Sequence, residues 1–276
     1  QADNMAAALL AMGIRRGNRV GIWSPNRLEW LLTQFATARI GAVLVNINPA
    51  YKSSELEYAL NKVRCRMLVM ARGYKNNNYL DTLRQLAPEI ERPGQAGDLT
   101  SLKLEHLKHV ILLDDLSVPA HEAAKQAVPA RAMRFKDFLQ QAGPAQHARL
   151  KDLSAALDPD DAINIQFTSG TTGNPKGATL SHFNIVNNAR FAAKSMASVL
   201  ASAQLPVPIL VVVSDTSLSV LDGSWGISDF VLPSASLAEV DARIRLAVQS
   251  ASGNVATGLS HSGVSIDESS YQATAS

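Results

Sequence analysis

The feature that most constrains the fold is a run rich in glycine and hydroxyl residues directly after an alternating strand pattern. Ile163 to Phe167 alternates apolar and polar side chains, which is typical of a half-buried strand. Ala178 to Leu180 is a short extended segment, and Ser181 can cap a helix starting near His182. The run between them reads Thr168, Ser169, Gly170, Thr171, Thr172, Gly173, Asn174, Pro175, Lys176, Gly177. The sequence therefore predicts a loop at the exit of a strand, where open α/β sheets bind ligands.

The composition of this loop suits a polyphosphate ligand. Gly170, Gly173 and Gly177 permit unusual backbone torsion angles and close approach of a ligand. Hydroxyl groups and backbone N–H groups can surround an anion, and Lys176 adds a positive charge. The spacing is not that of a Walker A loop, because Pro175 precedes the lysine and a glycine follows it. A polar turn with a solvated lysine is the alternative, and the length of the run favours a phosphate loop.

Residues 168 to 177 resemble the phosphate-binding signature of the adenylate-forming (AMP-binding) superfamily, which includes acyl-CoA synthetases, luciferases and amino-acid adenylation domains. The longer run from Ile163 to Asn188 resembles the medium-chain acyl-CoA ligases of mitochondria. The segments from Gly21 to Asn26 and from Asn46 to Tyr51 point the same way. This resemblance covers roughly residues 1 to 192.

The resemblance implies an ATP-dependent fatty acid–CoA ligase. In such enzymes the carboxylate of the acid attacks the α-phosphate of MgATP, pyrophosphate leaves, and coenzyme A captures the acyl adenylate. The loop from Thr168 to Lys176 would bind the β- and γ-phosphates, with Thr168 and Thr172 as hydroxyl donors and Lys176 opposing the charge of pyrophosphate. ATP, Mg²⁺, coenzyme A and a medium-chain fatty acid are the implied small molecules, and the mitochondrial matrix is the implied compartment.

The later motifs of the family have no counterpart in this sequence. They include an aromatic-histidine element, a Tyr-Gly-x-Thr-Glu type segment, a ribose-binding aspartate, a hinge and a small C-terminal domain. No catalytic residue is therefore assigned, and we expect this chain to be an incomplete, inactive ligase. Because the sequence begins at Gln1 with helical residues, we also expect its natural N-terminus and any targeting peptide to be missing. Two alternatives stay open: a non-catalytic nucleotide-binding or interaction fragment, and another adenylate-forming ligase.

The first part of the chain predicts an α/β fold. Strand patterns at Arg19–Trp23, 42–47 and 67–70 are joined by helical patterns, which favours right-handed βαβ units in one sheet. Ser54 and Glu57 predict a capping box for the second of these helices. With the resemblance, the expected fold is an incomplete N-terminal domain of the adenylate-forming enzymes, a largely parallel sheet flanked by helices.

A change of composition predicts a domain boundary near residue 196. We expect a partial AMP-binding domain over residues 1–196 and a divergent tail over residues 197–276, of which serine makes up about a fifth. After Lys194 only Arg243 and Arg245 are basic, so the tail is acidic. Residues 243–248 predict one or two helical turns, and residues 250–276 are expected to be disordered.

Charge and cysteine content exclude several classes of function. A net charge of +2 over 276 residues indicates no special attraction to nucleic acid or to a membrane surface. No run reaches the roughly 18 apolar residues of a membrane span. The single cysteine, Cys65, rules out an internal disulfide and a multi-cysteine metal site. His106 and His109 lack a third ligand nearby in sequence, so no metal site is predicted. The oligomeric state stays open.

Overall fold

A computed structural model describes the chain apart from residues 96, 117, 124–125, 169–174, 190, 192–194, 196–207, 214–217, 219–220, 222, 252–257, 262–263, 268–271 and 276. The chain divides into two compact units, Gln1–Ile185 and Val186–Ser276. Among the described residues, no helix combines the length and the apolar character needed to cross a membrane.

A seven-stranded sheet forms the centre of the first unit. Its spatial order is β7-β6-β3-β1-β2-β8-β9, and every neighbouring pair is parallel except β8 with β9. The strands are β1 Arg19–Trp23, β2 Val43–Asn46, β3 Cys65–Met70, β6 His109–Leu112, β7 Ala132–Arg134, β8 Ala162–Thr168 and β9 Lys176–Ser181. The short strands β4 Gly73–Tyr74 and β5 Asn77–Asn78 form a separate hairpin. Because six strands of the sheet are parallel, their carboxyl ends meet at one edge.

Helices cover both faces of this sheet and enclose two apolar cores. One core packs α1, α2, α6 and α7 against side chains such as Ile22, Leu44 and Val69. The other packs α3 and α4 against Val45, Leu68 and Leu112. The helices are α1 Ala2–Ala11, α2 Leu28–Arg39, α3 Ser53–Lys62, α4 Tyr79–Leu86, α5 Ala120–Ala123, α6 Phe135–Leu139, α7 Pro144–Ala155 and α8, described over residues 182–189. The predicted α/β fold with a largely parallel sheet is confirmed.

Most elements predicted in this unit are present. Helix α1 ends before Gly13, whose φ of +79° is the left-handed conformation that favours glycine. The strands β1, β2, β3 and β6 match their sequence patterns. The capping box was placed wrongly, because α3 begins at Ser53 and the carboxylate of Glu55 accepts the N–H of Lys52 at 2.7 Å. Strand β7 and helix α7 were not predicted, since neither has a strong periodic pattern.

The apolar residues of helix α2 do not all face the core. Ala36 is buried together with Thr33 and Thr37, whereas Leu28 and Phe35 are more than half exposed. Both threonine hydroxyls donate to carbonyl oxygens one turn earlier in the helix, at 2.6 and 2.8 Å. Satisfying these hydroxyls within the helix allows polar residues to occupy the buried side.

The second unit contains more regular structure than its composition predicts. The strands β10 Leu210–Val212 and β11 Asp229–Val231 pair in parallel. Helix α9 runs over Leu237–Ala251, so the prediction of one or two turns was too short. For the described residues after 250, the expectation of disorder is not met either. The strands β12 Gly258–His261, β13 Val264–Asp267 and β14 Gln272–Ala275 form an antiparallel sheet. Strands of four residues give too short a pattern to distinguish from irregular chain.

Candidate functional site

The candidate site is the open end of the hairpin formed by β8 and β9. Thr168, the last residue of β8, pairs with Lys176, the first residue of β9. The Thr168 hydroxyl donates to the Lys176 carbonyl oxygen at 3.3 Å. Because β8 is parallel to β2, this end lies at the carboxyl edge of the sheet. Open α/β sheets bind their ligands at that edge.

The structure brings together two of the predicted phosphate-binding residues. The side chains of Thr168 and Lys176 are both exposed at the open end of the hairpin, and Pro175 is partly buried beside them. The other predicted residues lie outside the described residues: Ser169, Gly170, Thr171, Thr172, Gly173 and Asn174. Their roles therefore remain predictions. The Thr168 hydroxyl would have to leave the Lys176 carbonyl to donate to a phosphate.

Gly177 contributes close packing, not an unusual backbone angle. It lies within β9 opposite Phe167, and its φ is not positive. A Cβ atom at this position would lie 3.1 Å from Cγ2 of Ile165. The close neighbour at this position is therefore a side chain of β8, and the approach of a ligand to Gly177 stays a prediction.

Hydrogen bonds fix the start of helix α8 directly after the hairpin. The backbone N–H of Asn184 donates to Oγ of Ser181 at 3.3 Å, and the N–H of Ser181 donates to Oδ1 of Asn184 at 2.9 Å. This reciprocal pair confirms the predicted cap at Ser181.

A turn at residues 158–161 anchors the other end of β8. Its backbone is closed by the N–H of Asp161 donating to the Asp158 carbonyl oxygen at 2.9 Å. The carboxylate of Asp161 accepts from the Arg16 guanidinium at 2.6 Å. The hydrogen bond from the Asp158 N–H and the contact with Arg16 both lower the pKa of Asp161. Both ends of the loop-bearing strand are thus tied to the body of the unit.

A row of polar side chains lies between β8 and helix α2. Asn164 is only 1% exposed, although the alternating pattern predicted a half-buried strand with polar side chains outward. Its Nδ2 donates to Oε1 of Gln34 on α2 at 2.8 Å. Its Oδ1 accepts from Nδ2 of Asn46 on β2 at 3.2 Å. Strand alternation could not reveal this, because it identifies a face without showing what covers that face.

A cavity of about 930 Å³ lies at the same edge, beyond the ends of β1, β3 and β6. Its lining includes Arg27, Arg72, Lys75, Asp114 and Asp115. Nη2 of Arg72 donates to the Ala127 carbonyl oxygen at 3.0 Å, whereas its buried Nε has no hydrogen-bond partner among the described residues. Burial and the nearby Arg134 lower the pKa of Arg72. The sequence analysis missed this cavity, because its residues come from four separate loops.

In the part of the chain that the structure describes, no site for a metal ion is evident. No group of three or more His, Cys, Asp or Glu side chains there is placed to hold an ion. His109 is buried at the start of β6, whereas His106, three residues earlier, is exposed.

Comparison with protein families places the site in context. Residues 1–235 match the model of the family described as "AMP-binding enzyme". The match extends beyond residue 192, where the motif-based resemblance ended.

Curated relatives give the same result. The chain is 48% identical over 190 residues to a mitochondrial medium-chain acyl-CoA ligase (ACSF2) of Danio rerio, covering 68% of this chain and 29% of the relative. It is 40% identical over 234 residues to the corresponding protein of Rattus norvegicus, covering 81% and 36%. A putative acyl-CoA synthetase of Bacillus subtilis, YngI, is 38% identical over 192 residues, covering 70% and 33%. The chain thus spans about a third of the length of these relatives.

Proposed function

This chain belongs to the AMP-binding enzymes, and we propose that it is part of a ligase that activates a fatty acid with ATP and transfers the acyl group to coenzyme A. The observation that carries this proposal is the open end of the β8–β9 hairpin, where Thr168 and Lys176 lie side by side at the carboxyl edge. The names of the relatives support the acyl-CoA branch of the family, and medium-chain acids are our first choice of substrate.

The proposed role of the hairpin is to bind the phosphates that leave. A carboxylate oxygen of the acid attacks the α-phosphorus of ATP, and the bond from that phosphorus to the oxygen bridging it to the β-phosphate breaks. The leaving pyrophosphate gains negative charge in this step. The ammonium group of Lys176 stabilises that charge, and positioned cationic groups are among the largest contributors to such reactions.

The remaining loop residues complete this phosphate site in our proposal. Backbone N–H groups and hydroxyl groups of the loop hold the β- and γ-phosphates. These groups come from Thr168, Ser169, Gly170, Thr171, Thr172, Gly173 and Asn174. Pro175 has no N–H group and contributes only to the shape of the loop. We assign no protein ligand to Mg²⁺, which enters as the counter-ion of ATP. The second step joins the coenzyme A sulfur to the acyl carbon and releases AMP.

The cavity beyond the ends of β1, β3 and β6 is the first place to test for coenzyme A. It lies at the same edge of the sheet, and its size falls in the range of sites for drug-sized ligands. Arg72 and Lys75 can pair with phosphate groups, which coenzyme A carries on its nucleotide half. The test is whether Arg72→Ala weakens coenzyme A binding while leaving MgATP binding unchanged.

We further propose that this chain alone binds nucleotide without completing the reaction, with residues 1–196 as the nucleotide-binding part and residues 197–276 as a separate tail. Since the relatives from Danio rerio and Rattus norvegicus are described as mitochondrial, we place the protein in the mitochondrial matrix.

ATP–pyrophosphate exchange combined with calorimetric titration of MgATP tests this proposal. We expect saturable MgATP binding and no exchange with octanoate. Exchange that depends on octanoate would show that the chain is a complete activating enzyme. Exchange that depends on an amino acid would favour another branch of the family. Absence of MgATP binding would contradict the proposed function.

A further inference from the structure

The side chain of Asn164 links β8, the strand that leads into the loop, to helix α2 and to strand β2. Its amide donates to Gln34 on α2 at 2.8 Å and accepts from Asn46 on β2 at 3.2 Å. It is 1% exposed, so water does not compete for these hydrogen bonds. Its donor and acceptor atoms are therefore both satisfied by protein groups from different elements.

Asn164 lies on the same face of β8 as Thr168. Side chains alternate along a strand, so residues 164, 166 and 168 point to one side. The distance from position 164 to 168 along the strand is about 13 Å, at about 3.3 Å per residue. Asn164, which contacts α2, therefore lies on the same face of β8 as Thr168, the last residue of the strand.

Apolar packing specifies the register of β8 only weakly near the loop. On the opposite face Ile163 is buried, but Ile165 and Phe167 are only partly buried against the core. On its outer side β8 pairs with β9, which is the edge strand of the described sheet and is mostly exposed. Register is set strongly where one face is fully buried, and less so where burial is partial.

A slip of one residue would bring Ile163 or Ile165 to face Gln34 and would bury the Asn164 amide among apolar side chains. Burying an amide without partners is unfavourable. Buried polar side chains that fix register are well documented in other folds. The hydrogen bonds of Asn164 therefore select the observed pairing, in which Leu44 lies opposite Asn164 and Asn46 opposite Gln166.

We propose that Asn164 is a positioning residue for the phosphate loop. Its two hydrogen bonds fix the register of β8 on β2, which determines that Thr168 and Lys176 stand together at the loop opening. The inference about register depends only on the contacts of Asn164. Its consequence for ligand binding rests on the proposed function.

The test compares the double variant Asn164→Leu/Gln34→Leu with the parent chain. Leucine has the branched shape of asparagine, and the second change removes the Gln34 amide oxygen that would otherwise lose its donor. Nδ2 of the half-buried Asn46 still loses its acceptor in this variant. Thr37→Val is the matched control, because it removes a buried hydrogen bond of α2 that does not involve β8. Amide hydrogen exchange over residues 162–168 and 176–181 is measured by mass spectrometry, together with thermal melting and pyrophosphate titration.

We expect the double variant to melt within a few degrees of the parent, with at least tenfold faster exchange in both strands and at least tenfold weaker pyrophosphate binding. The control should exchange and bind as the parent does. If Asn164 only stabilises the fold, a double variant that melts like the parent should also exchange and bind pyrophosphate like the parent. That result would overturn the proposal.

Two further outcomes are distinguishable. If the double variant does not fold, the single variant Gln34→Leu is measured in its place. Gln34 is only half-buried, so the chain should tolerate this change. It should accelerate exchange about threefold in β8, and parental exchange would overturn the proposal. If the parent chain does not bind pyrophosphate, the proposed function fails, while the exchange result still decides the role of Asn164.

Discussion

Thr168 and Lys176 face each other across the end of the β8–β9 hairpin, with the Thr168 hydroxyl donating to the Lys176 carbonyl oxygen at 3.3 Å. The bond engages the backbone of Lys176, and the Lys176 side chain is exposed. The same pairing therefore closes the hairpin and places a hydroxyl group beside a positive charge. Neither residue alone would define a phosphate site.

Removing the Thr168 hydroxyl should separate its two roles. Thr168→Val keeps a β-branched side chain in the strand, and we expect it to lower the free energy of unfolding by only about 0.5 kcal/mol, because the hydrogen bond is exposed. MgATP binding should weaken several-fold if the hydroxyl donates to phosphate. Calorimetric titration beside Thr100→Val, an exposed threonine in a loop, gives the comparison. Unchanged affinity in Thr168→Val would remove this residue from the site.

The stacked pair of Trp23 and Tyr79 should be a major source of stability. Their ring centroids lie 3.8 Å apart with an interplanar angle of 11°. The Trp23 indole donates to the Asn48 carbonyl oxygen at 3.1 Å, and the Tyr79 hydroxyl donates to that of Pro49 at 2.8 Å. Tyr79→Phe should cost about 1 kcal/mol in urea unfolding. Tyr79→Ala should cost about 3–5 kcal/mol.

Tyr74→Phe is the control for this prediction, because Tyr74 is partly exposed and its ring contacts only the ammonium group of Lys75 among the described aromatic contacts. Equal losses for Tyr74→Phe and Tyr79→Phe would show that the Pro49 hydrogen bond contributes nothing measurable.

His109 should make the chain sensitive to acid. Burial, together with the nearby Arg66 and Lys108, lowers the pKa of His109 to about 4. In the unfolded chain its pKa is about 6.5. Between these values the unfolded state binds a proton that the folded state excludes, so the free energy of unfolding decreases as the pH falls from about 6.5 to about 4. The loss by pH 4 should be about 2–3 kcal/mol.

Urea unfolding as a function of pH measures this loss in His109→Leu and His106→Gln beside the parent. Carboxylates titrate in the same range and contribute to all three profiles. The difference between the parent and His109→Leu isolates His109, and His106→Gln is the control that removes an exposed histidine. Parallel profiles for all three chains would contradict the prediction.

The thiol of Cys65 should be unreactive in the folded chain. It is buried at the start of β3, and burial raises its pKa to about 12. Thiolate is the reactive form, so both access and ionisation are suppressed. A chromogenic disulfide reagent should detect no thiol at neutral pH and one thiol per chain in urea. Rapid reaction without urea would show that this part of the first unit opens readily.

The sequence was sufficient to predict most strands of the sheet in the first unit, because strong local signals mark them. Apolar runs such as Val43–Asn46 lie between helical patterns, and the glycine at position 13 marks the end of α1. The position of the loop between β8 and β9 also followed from the sequence, since the alternating strand pattern precedes it. The pairing of β8 with β9 was not predicted, because nothing local distinguishes an extended segment from a hairpin strand.

Features that depend on contacts distant in sequence could not be predicted. Asn164 is buried because Gln34 and Asn46, more than a hundred residues away, satisfy its amide. The cavity likewise forms from loops that only the sheet order brings together. Alternation along β8 indicated a half-buried strand, and only the position of α2 determines that the polar face is covered.

The most direct test of the central claim is thermal melting of the purified chain with and without MgATP. The parent and Lys151→Ala, which alters an exposed lysine of α7, should both melt at a higher temperature with saturating MgATP, since a ligand that binds the folded state stabilises it. Lys176→Ala should melt as the parent does without nucleotide and should gain little or nothing with it. Equal stabilisation of Lys176→Ala and the parent by MgATP would contradict the assignment of the hairpin as the phosphate site.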